Sequence, residues 1–181
     1  EISFDTMLDT IRALCMDPDI NLDKKVYHSE MSHISRNRAI AYLLESKGYI
    51  EKNKDVENSL HFYVKMCSLS VTAESLAGLG LILANDGIHP DTGKRLLSSQ
   101  AVKIVKTLMF TCGMYDGSGE FAVRVGIPSK SGVGGGILSV VDGEMGIGIF
   151  GPALDKKGNS VAGECVLEYM SHELHLHMFD P

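Results

Sequence analysis

Glycine is concentrated in one segment of this 181-residue chain, from Gly113 to Gly151, which holds twelve of its 19 glycines. Glycine loses more backbone entropy on folding than other residues. A high density therefore indicates backbone that approaches a ligand closely or adopts conformations closed to other residues. The centre of the segment combines a cation, a hydroxyl and small residues: Lys130, Ser131, Gly132, Val133 and 134–136. Such groups, with accessible backbone amides, bind carboxylates and oxyanions.

The composition restricts the class of protein. With 44% hydrophobic and 22% charged residues, the chain is typical of a globular protein of one domain or two lobes. Its net charge of −6 and the lack of a Lys/Arg block argue against a nucleic-acid or anionic-membrane partner. No apolar stretch has the length of a membrane helix and no signal-like region opens the chain, so we expect a cytoplasmic location. The helix-like sequence that follows Glu1 directly indicates part of a longer protein.

Neither the cysteines nor the C-terminal histidines predict a cross-linked or metal-bound structure. The four cysteines are scattered without a C-x-x-C pair, which favours reduced and mostly buried thiols: Cys15, Cys67, Cys112 and Cys165. The acidic and imidazole side chains near the C-terminus lack the spacing of a zinc motif: His172, Glu173, His175 and His177. A solvated terminal helix is the favoured interpretation of that cluster, and we expect no metal.

The first part of the chain has helical periodicity. Apolar residues recur at helical spacing from Ile2 to Cys15, until an Asp-Pro-Asp sequence interrupts them. Four further helices are predicted, with Ser35 and Ser98 as N-caps and Gly48 and Gly113 as C-terminal stops: 36–49, Val56–Cys67, Thr72–Asn85 and 99–112. The polar segment from Asn21 to Ile34 predicts an irregular loop that contains Glu30.

From Phe121 the pattern changes to that of strands. The segment 121–125 alternates, 137–141 is a buried-strand run, and Asp142-Gly143 is a tight-turn pair before Met145–Phe150. Asn159 or Ser160 then opens a closing helix that extends to Leu176. The order predicts an α+β fold, with a mostly helical lobe over 1–112 and antiparallel strands plus a C-terminal helix over 113–181.

Several short motifs, in the same order and at the same separations, resemble the serine-dependent glutaminases. They are Ser29-Glu30 before Arg36-Asn37, Phe62-Tyr63 before Cys67-Ser68, Leu83-Ala84-Asn85, Gly113-Met114-Tyr115-Asp116, Ser129-Lys130-Ser131-Gly132-Val133, and Leu154-Asp155 before Gly158-Asn159-Ser160-Val161. The resemblance runs from about Leu22 to the C-terminus. It implies the fold of β-lactamases and penicillin-binding proteins, in which a helical lobe and an antiparallel sheet covered by helices meet at the active site. The two predicted parts would then belong to one catalytic domain.

The resemblance also implies a reaction and a role for each matching residue. Glutaminases hydrolyse L-glutamine to L-glutamate and ammonia through an acyl-enzyme, without a metal or organic cofactor. Glu30 matches the carboxylate that pairs with the substrate α-ammonium, Asn37 the amide that holds the α-carboxylate, and Tyr63 a further substrate contact. Tyr115 matches a substrate-contacting tyrosine that moves protons between serine, lysine and leaving ammonia. Val133 matches the residue whose backbone N–H forms half of the oxyanion hole.

Lys130, Ser131 and Gly132 resemble the family's version of the K-T-G strand of penicillin-recognising enzymes, which lines the site. The family is commonly oligomeric, so a homo-oligomer is expected, with L-glutamine as the small-molecule partner.

One part of the family's pattern is absent from the sequence. The family nucleophile is the serine of a Ser-x-x-Lys motif at a helix start, and no serine here has lysine at the third following position. We therefore expect this chain to be a C-terminal portion whose nucleophile lies upstream, and to be inactive alone. The segment between Glu30 and Asn37 also differs from the family's pattern, because His33-Ile34-Ser35 stands where the family usually has Thr/Ser-Gly-Asp.

Taken without the family, the same residues have simpler interpretations. Glu30 is then a solvated carboxylate, Asn37 a helix-start residue, Tyr63 and Tyr115 packing side chains, and Lys130 a charge that protects a sheet edge. A phosphate cradle is disfavoured because no G-K-S/T follows the glycines. Two other hypotheses stay open: a non-catalytic amino-acid-binding fragment, and a relative of the penicillin-recognising serine acylases.

Overall fold

The computed structural model describes residues 2–51 and 55–180, and over these residues the fold is α+β. The described elements, in chain order, are α1 (Phe4–Cys15), β1 (Asn21–Leu22), α2 (Lys24–Ser32), α3 (Ser35–Ser46), α4 (Val56–Cys67), β2 (Leu69–Ser70), α5 (Ala73–Ala84), α6 (Ser99–Cys112), a 3-10 helix (Tyr115–Gly117), α7 (Ser118–Arg124), β3 (Ser129–Ser131), β4 (Gly136–Val141), β5 (Met145–Phe150) and α8 (Val161–Leu174). The predicted class is therefore confirmed.

Contacts divide the chain into two compact units. Unit 1 comprises Glu1–Asp9 with Asp19–Val71, and unit 2 comprises Thr10–Pro18 with Thr72–Pro181. The predicted division into lobes at residue 112 stays a prediction. Within unit 1, β1 and β2 pair antiparallel, and α2, α3 and α4 surround a small apolar core: Ile34, Ala41, Val56, Leu60 and Val64.

Unit 2 is built on a three-stranded antiparallel sheet with helices on both faces. The strand order is β3-β4-β5, with Lys130 opposite Leu138 and Leu138 opposite Gly148. One core combines Ile137 and Ile147 of the sheet with side chains of α7 and α8, and the other combines Leu138 and Val140 with side chains of α5 and α6. Because successive side chains of a strand point to opposite faces, β4 is apolar at nearly every position.

The glycines of β5 allow α5 to pack directly against the sheet. A Cβ at Gly146 would overlap the backbone of Ala77 and Leu81, and one at Gly148 would overlap the Ala73 carbonyl oxygen. Helix α5 contributes its own glycine, since a Cβ at Gly80 would lie 2.7 Å from the Gly146 Cα. Part of the glycine-rich run therefore serves helix–sheet packing, which differs from the ligand-approach role expected from the sequence.

The strand predicted over 121–125 is wrong, because Phe121 to Arg124 belong to helix α7. Phe121 and Val125 are buried and lie four residues apart, and the Val125 N–H donates to the Phe121 carbonyl oxygen at 2.8 Å. Val123, which an alternating strand would bury beside them, is 79% exposed. A run of only five residues fits both a period of two and a helical spacing of four, so its pattern was ambiguous.

The predicted irregular segment from Asn21 to Ile34 is also wrong, since it contains β1 and α2. The Asp23 carboxylate caps α2 by accepting from the backbone of Lys25 at 2.8 Å and Val26 at 3.0 Å. No residue of α2 is buried, so its sequence lacks the apolar stripe that reveals a helix. Ser35 is likewise not an N-cap: Ile34 occupies that position without a side-chain cap bond.

The other predicted boundaries agree with the structure where capping chemistry was strong. Ser98 accepts from the Ala101 N–H at 3.2 Å at the start of α6, and Ser160 accepts from the Gly163 N–H at 3.1 Å at the start of α8. Helix α8 ends at Leu174, two residues before the predicted end, because His175 adopts a left-handed conformation with φ +54°.

The cysteines differ from their predicted burial. Cys15 is buried, whereas Cys67, Cys112 and Cys165 are exposed, and none of the four is in a disulfide. Over residues 2–51 and 55–180, no cluster of three or more His, Cys, Asp or Glu side chains could hold a metal ion. Within the same residues, no helix combines the length and the apolar character needed to cross a membrane.

Candidate active site

Gly113 brings the end of α6 against strand β3. A Cβ at this position would overlap the Ser129 carbonyl oxygen, and the Ser131 N–H donates to the Gly113 carbonyl oxygen at 3.0 Å. Only glycine permits so close a passage of two backbones. As a result, the residues that follow, including Tyr115, lie beside the Lys130-Ser131-Gly132 strand.

Tyr115 has a strained backbone and an exposed side chain. Its φ is +51°, a conformation that costs a bulky residue on the order of 1–3 kcal/mol and that clusters at functional sites. The Ser118 hydroxyl braces this turn, because its oxygen accepts from the Met114 N–H at 3.0 Å while its O–H donates to the Tyr115 carbonyl oxygen at 2.8 Å. The residue is 38% exposed, so part of Tyr115 is accessible to a ligand.

Lys130 places a positive charge on the face of the Tyr115 ring. Its ammonium nitrogen lies 4.6 Å from the ring centroid and also donates to the Ser131 carbonyl oxygen. A cation at this distance is attracted to the ring by about 0.5–2 kcal/mol. Lysine and tyrosine, predicted separately as site residues, are therefore in contact.

A four-residue turn, 132–135, presents Val133 to solvent. The Gly135 N–H donates to the Gly132 carbonyl oxygen at 2.9 Å, and the Gly132 N–H donates to the Gly136 carbonyl oxygen at 2.9 Å. Val133 is 68% exposed, and its N–H makes no hydrogen bond to any residue in the described part of the chain. The turn thus offers a backbone donor of the kind that an oxyanion hole requires.

The loop from Asp155 to Asn159 completes this region of unit 2. The Asp155 carboxylate accepts from the backbone of Lys157 at 2.9 Å and Asn159 at 2.8 Å, and these bonds, the one from Asn159 foremost, lower the pKa of that carboxyl group. Gly158, with φ +97°, lies between two predicted site residues: a Cβ there would be 3.6 Å from the Tyr115 ring and 3.8 Å from the Val133 side chain. Tyr115 and Val133 therefore both adjoin Gly158, and Lys130 contacts the other partner of this pair, the Tyr115 ring.

The three remaining predicted residues belong to unit 1. Glu30 is exposed in the last turns of α2 and not in a loop, as the sequence had predicted. Asn37 is half-buried as the third residue of α3, and Tyr63 is exposed on α4. The Arg38 guanidinium joins α3 to α4 through a bidentate pair with Glu57, at 2.8 and 3.0 Å, which lowers the pKa of the Glu57 carboxyl group.

Two residues of the site were not assigned from the sequence. Gly158 and Asn159 belong to the Gly158-Asn159-Ser160-Val161 motif, but only the folded chain shows that they touch the Tyr115 segment. The available signal was local, because an aspartate with Gly-Asn beginning three positions later, as in Asp155-Lys-Lys-Gly158-Asn159, is typical of a tight turn.

A sequence profile of the family described as Glutaminase matches residues 1–179. The chain belongs to the glutaminase family. It is similar to a glutaminase of Clostridium tetani, 53% identical over 173 residues, which cover 96% of this chain and 56% of that protein. It is also similar to glutaminase 2 of Clostridium perfringens, 51% identical over 99% of this chain and 58% of that protein. This chain thus spans little more than half the length of these glutaminases.

Solved glutaminase structures share the fold. The Bacillus subtilis glutaminase in covalent complex with 5-oxo-L-norleucine is 39% identical, with a TM-score of 0.90 over 97% of this chain and 61% of that chain. Mglu in its glutamate form is 37% identical, with a TM-score of 0.92 over 100% of this chain and 42% of that chain. The predicted β-lactamase-like fold is confirmed by these similarities.

Proposed function

We propose that this chain forms part of the catalytic domain of an enzyme that hydrolyses L-glutamine to L-glutamate and ammonia through a serine acyl-enzyme. The observation that carries the proposal is the contact of the Lys130 ammonium with the Tyr115 ring, beside Gly158, which also adjoins the side chain of Val133, whose N–H has no hydrogen-bond partner among the described residues. A proton-carrying hydroxyl, a cation and a backbone donor are the groups that acyl transfer from an amide requires.

In the proposed reaction, a serine supplied from outside these 181 residues attacks the amide carbon of glutamine. The amide oxygen, on which negative charge develops, accepts a hydrogen bond from the Val133 N–H. The serine proton passes, by way of the lysine of the upstream motif and the Tyr115 hydroxyl, to the leaving nitrogen, so the C–N bond breaks and ammonia leaves. Water then adds to the acyl carbon, its proton returns to the serine oxygen, and glutamate is released. Lys130, with Ser131 and Gly132, lines the site and adds positive potential.

Unit 1 supplies the proposed contacts to the amino-acid end of the substrate. Glu30 pairs with the α-ammonium group, Asn37 donates to the α-carboxylate and Tyr63 contacts the substrate. A carboxylate for a cation and a neutral amide donor for an anion match the charges of a free amino acid.

The chemistry of the ligands found with similar proteins supports this substrate. Atom 5 of 5-oxo-L-norleucine is a carbonyl carbon, and the amide carbon of glutamine is also atom 5 of its chain. A glutaminase of this fold that forms this covalent complex, by reaction with 6-diazo-5-oxo-L-norleucine, binds an amino acid with a carbonyl carbon at the position of the glutamine amide carbon. Glutamate, present with Mglu, is the product of glutamine hydrolysis.

We further propose that the 181 residues alone are inactive, because no Ser-x-x-Lys pair occurs in them. The test compares ammonia release from glutamine by the isolated polypeptide and by a full-length glutaminase that contains it. Activity of the full-length protein alone supports both proposals, whereas activity of the isolated chain refutes the second. Failure of the full-length protein, combined with calorimetric binding of glutamine, would indicate an amino-acid-binding role instead. Acylation of the full-length protein by a fluorescent penicillin would indicate a penicillin-recognising enzyme.

We also propose a cytoplasmic location for the protein, and the resemblance supports a homo-oligomeric assembly. L-Glutamine is the proposed small-molecule partner. Fractionation of cells and sedimentation of the full-length protein test these two properties.

A further inference from the structure

We propose that Asn159 is a positioning residue that holds Tyr115 in its left-handed conformation, so that the phenol is aimed for proton transfer. The inference rests on the proposed function of Tyr115. Asn159 has no described hydrogen bond to the Tyr115 side chain. It acts through the backbone of Met114, to which its side chain is bonded.

The side chain of Asn159 is completely buried and aimed at the Tyr115 segment. Its exposure is 0%, and its amide nitrogen donates to the Met114 carbonyl oxygen at 3.1 Å, across 45 residues of sequence. The same carbonyl oxygen accepts from the Gly117 N–H at 3.0 Å. Both lone pairs of the peptide oxygen directly before Tyr115 are thereby engaged, which fixes the orientation of that peptide plane.

The remaining atom of the amide group indicates a role other than stability. Among the described residues, the Asn159 side-chain oxygen has no hydrogen-bond partner although it is buried. A buried acceptor without a partner destabilises a folded protein. An apolar side chain of similar size would avoid this cost, so the contribution that only asparagine makes here is the donor to Met114.

Asn159 is itself held rigidly. The backbone N–H of Asn159 donates to the Asp155 carboxylate at 2.8 Å, and the Asp155 N–H donates to the Asn159 carbonyl oxygen at 2.8 Å. The Lys157 ammonium pairs with Glu120 of α7 at 2.9 Å, which ties the loop to the helix that follows Tyr115. A strained residue persists only where its surroundings determine its conformation, and Asn159 with Ser118 provides that constraint.

The test measures steady-state glutamine hydrolysis by a full-length glutaminase that carries Asn159→Ala or the nearly isosteric Asn159→Asp. Each variant loses the donor to Met114, and the aspartate adds repulsion between its oxygens and the carbonyl. We expect kcat to fall about 10- to 100-fold with KM changed less than about twofold, because misplacement of a reacting group affects the chemical step. The matched control is Ser171→Ala, which removes another buried donor to a backbone carbonyl, that of Val125 at 2.6 Å.

A double-mutant cycle separates positioning from general destabilisation. If Asn159 acts through Tyr115, Asn159→Ala lowers kcat no further in a Tyr115→Phe background. If its effect is independent of Tyr115, Asn159→Ala lowers kcat by the same factor in both backgrounds. The proposal is overturned if Ser171→Ala lowers kcat as much as Asn159→Ala, or if Asn159→Ala has its full effect in the Tyr115→Phe protein.

A second measurement does not depend on activity. Hydrogen exchange of the amides over 113–118 should be faster in Asn159→Asp than in wild type and unchanged in Ser171→Ala. Faster exchange combined with a wild-type protein that releases no ammonia would support the bracing and refute the proposed function. Unchanged exchange in both Asn159 variants would overturn the inference itself.

Discussion

The ammonium nitrogen of Lys130 lies 4.6 Å from the centre of the Tyr115 ring, which joins the strand of the Lys130-Ser131-Gly132 motif to the strained turn after α6. The contact links two parts of the glycine-rich run that are separated by helix α7 in the sequence. It has a direct experimental consequence.

Lys130→Met should lower the kcat of a full-length glutaminase by about 10- to 100-fold. The substitution removes the positive charge over the ring that is proposed to transfer the proton, and it keeps an aliphatic side chain. Lys130→Arg keeps a cation over the ring and should restore part of the rate. Ammonia release at saturating glutamine is the measurement, and Lys94→Met in an exposed turn is the charge-matched control. A Lys130→Met protein as active as the control would disprove a role for this charge.

Val133→Pro should abolish the proposed oxyanion donor and leave the turn intact. Val133 is the second residue of the turn closed by Gly132 and Gly135, a position where proline is favoured. We expect a loss of about 100- to 1000-fold in kcat, the effect of removing one oxyanion-hole donor, with an unchanged melting temperature. Val133→Ala keeps the N–H and should retain wild-type activity; equal loss in both variants would assign the effect to the side chain instead.

Gly148→Ala should destabilise unit 2 by about 1–3 kcal/mol or more, because the added methyl group would overlap the Ala73 carbonyl oxygen of α5. Gly119→Ala is the matched control. Among residues 2–51 and 55–180, no atom outside the neighbouring backbone of α7 lies within 4 Å of the position that its Cβ would take, and alanine favours a helix by about 1 kcal/mol over glycine. Urea denaturation monitored by circular dichroism gives both values, and equal stability of the two variants would contradict direct helix–sheet contact.

The Cys15 thiol should resist a thiol reagent that modifies the three exposed cysteines. Burial, reinforced by the Asp17 carboxylate, raises the pKa of Cys15 from 9.0 to about 11. Because the folded protein favours the protonated thiol, Cys15 makes its full contribution to the free energy of unfolding below pH 9. This contribution is lost as the pH rises toward 11. Titration with a chromogenic disulfide at pH 8 should count three fast thiols in the native protein and four after unfolding. Four fast thiols in the native state would show that Cys15 is accessible.

The parts of the fold that the sequence predicted are those with local determinants. Ser98 and Ser160 cap their helices through bonds to residues three positions away, so their sequence neighbourhood was sufficient. Helix α2 was missed because it buries no residue, although its Asp23 cap is local, and α7 because the buried Phe121 and Val125 at its C-terminal end also fitted an alternating strand.

The candidate site was also predicted only where its residues lie in recognisable local motifs. Motif spacing predicted Tyr115, Lys130 and Val133, and the structure brings these three together. Their catalytic roles, and those of Glu30, Asn37 and Tyr63, stay predictions. The bond from Asn159 to Met114 could not be foreseen, because it joins a loop to a turn 45 residues away and depends on how α8 and α6 are placed in unit 2.

The backbone contact between α5 and β5 also determines how forces pass through unit 2. Side chains normally separate a helix from a sheet and can change rotamer, but Gly146 and Gly148 have none, so at these two points backbone meets backbone. Because the two backbones are in direct contact there, we expect α5 and the β4–β5 hairpin to move together. The pairing of β4 with β3 extends this expectation to the strand that holds Lys130.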